Sequence, residues 1–184
     1  MNAQVKSKSI TDFLTSWLTV ITLVSAAIFG ILEYIDHKQG VRVQRSLDYV
    51  ERYNTDLYLK LRNRLADVLE QESKTLIATL VDNSLTAEQI QRKYYEFINE
   101  MILRHKLKPD LRRLLGFHEE VVLCTNAELC DAAVVRSFFT VDAQELFKGF
   151  YPYVCDQREK WNNTTIAAEV EAFYIDKNNE TCEK

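Results

Sequence analysis

The 184-residue chain sets 23 Lys and Arg against 27 Asp and Glu, a formal charge of −4. That balance is too mild for a nucleic-acid partner, and no Lys/Arg stripe is interleaved with aromatic residues as single-strand binding requires. Gly and Pro number only 4 and 2, and β-branched residues form no short alternating runs. Sandwiches and barrels are thereby excluded in favour of helices joined by short turns, with length for one core plus an appendage.

The first element is an apolar stretch from Phe13 to Leu32, which contains no ionisable side chain. At about 1.5 Å per residue it spans about 30 Å, the thickness of a hydrocarbon core. Trp17 and Tyr34 sit near its two ends. Lys6, Lys8 and Asp12 precede it, and Glu33, Asp36 and Lys38 follow it, as expected for a transmembrane helix flanked by interfacial aromatics and charges. The Thr and Ser hydroxyls inside can bond to their own helix carbonyls. A cleaved secretory signal is the competing reading. The run is longer than a usual signal core, and no clean small-x-small cleavage site follows it, which favours an anchor.

Lys38, Arg42, Arg45 and Arg52 after the span outnumber Lys6 and Lys8 before it, a bias that favours a domain on the cytoplasmic side. With Lys60, Arg62 and Arg64 they form a basic stretch able to lie near anionic headgroups, or equally a solvated helix face with ion pairs. Ala26 and Gly30, with Ser25 and Ala27, form a small-x-x-x-small step through which two anchors can pack.

Beyond the span, Val43, Leu47 and Val50 continue an amphipathic helix to Tyr53. Asn54 or Thr55 caps a second helix carrying Leu57, Leu61, Leu65, Val68 and Leu69. A short apolar segment, Leu76 to Val81, stops at Asp82-Asn83-Ser84. Thr86 and Gln89 form a capping box ahead of Ile90, Tyr94, Phe97, Ile98, Met101 and Ile102, the clearest 3.6-residue stripe in the chain. Lys108-Pro109-Asp110 starts the next helix, with Leu111, Leu114, Leu115, Val121 and Val122 on its apolar face. A helix is predicted from about Ala127 to Phe139. Another opens at Thr140 or Asp142 and carries Ala143, Leu146, Phe147, Phe150, Tyr151 and Val154, bent by Pro152. A shorter one runs from Ile166 to Ile175. The predicted architecture is all-α: a short N-terminal flank (1–12), a transmembrane helix (13–34), a helical domain (38–176) and a polar C-terminal tail (177–184).

Few residues point to chemistry. His118 lies on the apolar face between Leu114 and Val122, near Glu119 and Cys124, where a buried imidazole can act as base or ligand but more often is a hydrogen-bonded core residue. Cys124, Cys130, Cys155 and Cys182 suit either two disulfides or four thiols, and the helical surroundings of the first three favour thiols. A metal site from these cysteines and His118 lacks the tight Cys-x-x-Cys spacing of strong zinc motifs, and His118-Glu119-Glu120 lacks a metalloprotease's second His. Asp131, Arg136 and Arg158 are candidates for a polar network or for ion pairs at helix ends. Asn162, Asn163 and Asn179 begin N-x-T triplets, which matter only in a eukaryotic secreted chain. There is no glycine-rich phosphate loop and no nucleophile elbow, so no catalytic, metal or cofactor residue is assigned.

The segment Leu114 to Trp161 resembles a family of small bacterial membrane-anchored proteins carrying an uncharacterised helical domain of unknown function. The matching positions are Phe117, Glu119 and Glu120; then Cys130, Asp131, Val134, Val135 and Phe139; then Pro152, Tyr153, Val154 and Arg158. The likeness covers about the last two thirds of the chain, implies a bacterial or phage-borne inner-membrane protein, and brings no activity with it.

The expected function is a non-catalytic, membrane-tethered interaction module whose partners are the lipid bilayer and either another protein or itself, with no nucleic acid and no cofactor. The alternatives are a metal- or thiol-linked membrane sensor using His118 and the cysteines, and an enzyme with an unfamiliar site.

Overall fold

The computed structural model describes residues 3–81, 85–175 and 182, and these form two compact units, Met1–Arg42 and Val43–Lys184. Among the described residues there are six helices and no strand, the all-α architecture the composition predicts. The expected stop at Asp82-Asn83-Ser84 lies outside the described residues, as does the tail after residue 176 apart from Cys182.

Helix α1 runs from Ala3 to Tyr53. It is continuous through residues 34–38. In its apolar part the mean hydropathy reaches 2.0 and no residue is buried; Leu23 and Phe29 are 65% and 71% exposed. Such a helix is long and apolar enough to cross a membrane. Thr22 donates to the Leu18 carbonyl at 2.8 Å, so this hydroxyl is satisfied within its own helix. A Cβ on Gly30 would meet nothing within 4 Å, which leaves the small-residue face open.

The second unit begins in the last turns of α1 and contains α2 (Asp56–Leu80), α3 (Ala87–Arg104), α4 (Lys108–Asn126), α5 (Ala132–Lys160) and α6 (Ala168–Tyr174). Contacts join α2 to α3, α3 to α5, α4 to α5 and α6, α5 to α6, and α2 to α4. The predicted stripes meet in one core, where Met101, Leu107, Leu111, Val121, Val122, Val135, Ala143, Phe147 and Val170 are fully buried. The segment Leu76–Val81 is not separate: Leu76 to Leu80 form the last turn of α2, with Val81 as its C-cap. Thr86 accepts from the Gln89 amide while Gln89 accepts from the Thr86 amide at 2.8 Å, the reciprocal box read from the sequence. Pro109 lies in the first turn of α4.

Two expectations fail between residues 127 and 142. No helix starts at Ala127: the chain reverses over residues 127–130, with Glu128 at φ 56°, and Asp131 caps α5 by accepting from the Val134 amide at 2.9 Å. Nor does a helix open at Thr140 or Asp142, because α5 runs straight through both. Thr140 donates to the Arg136 carbonyl at 2.7 Å and Asp142 is bound by Arg62 at 2.9 Å, so neither side chain is available as a cap.

The bend expected from Pro152 is present at Phe150, whose backbone leaves the helical region. Pro152 has no amide to give the Lys148 carbonyl four residues earlier. The Tyr94 hydroxyl of α3 supplies the replacement, donating to the carbonyls of Lys148 at 2.9 Å and Gly149 at 3.1 Å.

Candidate interaction groove and buried polar centre

Opposite its apolar stripe, α3 carries Glu88, Gln91, Arg92, Tyr95, Glu96 and Asn99, three or four residues apart and therefore on one face. This face forms one wall of an open groove of about 1040 Å³. Past the bend, α5 supplies Tyr151, Cys155, Asp156 and Arg158, and α6 supplies Glu171. The disulfide between Cys155 and Cys182 borders it.

The side chains at the groove's foot are mutually bound. Glu171 accepts from Arg158 Nη2 at 2.6 Å and from the Tyr151 hydroxyl at 3.0 Å, and Arg158 Nε donates to the Ile166 carbonyl at 2.9 Å. Burial, reinforced by the Glu171 charge, pushes the Tyr151 hydroxyl up to about 12. The groove holds five carboxylates (Glu88, Glu96, Asp156, Glu159 and Glu171) against the guanidiniums of Arg92 and Arg158, and Arg158 is already paired. The described lining is therefore net acidic, a complement for cationic groups.

A second polar centre is closed to solvent. His118 is fully buried, and its ring is enclosed by Tyr53, Phe117, Phe139 and Tyr174 at centroid distances of 5.6, 5.7, 6.2 and 5.8 Å. Both ring nitrogens lack a hydrogen-bond partner, as does the Tyr174 hydroxyl. Burial, with the Arg62 charge as a smaller cause, lowers the His118 pKa to about 4, so the imidazole is neutral at pH 7. Burial likewise pushes the Tyr174 hydroxyl well above its usual range. The sequence placed His118 correctly in the core, but not as a hydrogen-bonded residue.

The other candidates are dispersed. All four cysteines are paired, Cys124 with Cys130 and Cys155 with Cys182, which corrects the thiol reading. Paired sulfurs are not thiolate ligands, so in this state the cysteines offer no donors to a metal. Among the described residues no group of three or more His, Cys, Asp or Glu side chains is placed to hold a metal. Asp131, Arg136 and Arg158 have separate roles in the fold: Asp131 caps α5, Arg136 lies over the Phe173 ring at 4.5 Å, and Arg158 pairs with Glu171. In the basic stretch, Arg52 pairs with Glu120, Arg62 with Asp142, and Arg64 with Asp110 at 2.6 Å, so these three cations have protein partners.

The fold and groove define an all-helical domain preceded by an apolar helix of membrane-spanning length. The sequence pattern of a family described as a domain of unknown function (DUF4760) matches residues 19–176, and the chain belongs to that family. The match starts inside the apolar stretch and extends beyond α6. No curated protein and no solved structure matches the chain.

Proposed function

We propose that this protein is a non-catalytic interaction module, tethered to a bacterial inner membrane by the apolar part of α1, which engages a protein partner bearing cationic side chains. The tether is supported by the exposed, uncharged helix surface: apolar area of that extent is unfavourable in water and favourable in lipid. The single observation carrying the partner's chemistry is the groove of about 1040 Å³ with five carboxylates and only two guanidiniums. The non-catalytic reading rests on its side chains. The Tyr151–Glu171 pair is held by Arg158, and a hydroxyl raised to about 12 is a poor proton donor or acceptor near neutral pH.

The test uses full-length protein with a photo-crosslinking amino acid at Gln91, in native membranes. A discrete adduct is expected, lost when Glu96→Lys and Asp156→Lys are introduced together and weakened by raised salt. An adduct insensitive to both would reject the groove as the docking face.

A further inference from the structure

We infer that the helical domain resides on the oxidising, non-cytoplasmic side of the membrane and receives both of its disulfides there from a dithiol-oxidising protein. The observation is the pairing itself. Four cysteines form two bonds with none left over, one joining Cys124 to Cys130 and one joining Cys155 to Cys182.

Each bond sits at a joint of the fold. Cys124 and Cys130 are both buried and close the reversal between α4 and α5, where the amides of Leu129 and Cys130 also donate to the Cys124 carbonyl at 2.9 and 3.1 Å. The second bond closes a separation of 27 residues and brings residue 182 to the groove, where Cys182 Sγ lies 3.8 Å from Arg158 Nη1. Across the same bond, Cys155 Sγ lies 3.7 Å from the Tyr95 hydroxyl. Cytosolic reductants keep such thiols reduced, whereas exported domains retain their bonds.

Forming each bond removes two protons and two electrons from a pair of thiols. The oxidant is the disulfide of an exported thiol oxidase, which is reduced to a dithiol through a mixed-disulfide intermediate. The Lys and Arg flanking the apolar stretch favour the opposite side by only two cations, Lys38, Arg42, Arg45 and Arg52 against Lys6 and Lys8, and whole domains cross largely regardless of such a bias. The inference does not depend on the tether, since a cleaved signal would export the domain equally.

The test needs no variant. Cells expressing the full chain are acid-quenched, their free thiols blocked with N-ethylmaleimide, and the protein reduced and treated with a polyethylene-glycol maleimide. A mass shift of four adducts after reduction, and none without it, is expected. Blocking of all four cysteines before reduction would overturn the inference, as would a domain that resists external protease in intact spheroplasts. Oxidised protein that a carbonate wash releases from membranes would remove the tether while leaving the compartment in place.

Discussion

Two polar centres in the helical domain face the cost of burial differently. Around Glu171, each charge has partners: Arg158 and Tyr151 both donate to the carboxylate, and Arg158 also reaches the Ile166 carbonyl. Around His118, neither the imidazole nor the Tyr174 hydroxyl has any partner, and aromatic rings fill the surroundings. The first keeps its charges because it binds them. The second can be accommodated only by staying neutral, since burying an unpaired charge costs far more than burying an unpaired polar group. One centre is therefore sensitive to loss of a partner, the other to gain of a proton.

The largest effect expected from this contrast is an acid dependence of stability. His118 has a folded pKa of about 4 against an ordinary value of 6.5, so the unfolded chain binds the proton more readily. Its contribution is fully present above pH 6.5, declines as pH falls to 4 and is gone below, a loss of about 3 kcal/mol over that window. Denaturant titrations across pH 4 to 8 should show this loss in the wild type and lose it in His118→Phe. Glu72, held down chiefly by its hydrogen bond to His105, is common to both proteins and cancels from the difference.

Removing a partner should cost less. Arg158→Met leaves the Glu171 carboxylate with Tyr151 alone, a destabilisation of about 1–2 kcal/mol given that Glu171 is partly solvated. It should also lower the Tyr151 hydroxyl pKa's counterweight, since Arg158 acts to lower it, so ultraviolet titration of the phenolate in the variant should move further upward. The smallest effect is at neutral pH in His118→Phe itself. Deleting two unpartnered nitrogens at nearly constant shape should raise the midpoint of thermal unfolding by about 3 °C, or about 1 kcal/mol. A fall of that size instead would mean that the imidazole is hydrogen-bonded in solution, and the contrast between the two centres would collapse.

Local chemistry explains which elements were legible. The start of α3 was readable because Thr86 and Gln89 satisfy each other's amides with no help from elsewhere, and Pro109 marked the first turn of α4 for a similarly local reason. Thr140 and Asp142 misled because their cap-forming groups are taken, one by its own helix and one by Arg62, 80 residues away. The reversal at residues 127–130 carried no Gly or Pro to announce it, and Glu128 takes the positive φ instead.

The groove was illegible for a different reason. Its α3 wall reads as an ordinary solvated face, and the opposing residues arrive more than 50 positions later. A tyrosine among polar residues at 88, 91, 92, 95, 96 and 99 was the one local signal. The cysteine count permitted the two bonds, but spacing alone could not choose them over thiols.

The hydroxyl of Tyr94 has a mechanical consequence. A proline bend whose freed carbonyls face water is a soft joint, able to flex as solvent exchanges around it. Here a phenol from the neighbouring helix occupies those carbonyls, so α5 is pinned to α3 at its weakest point.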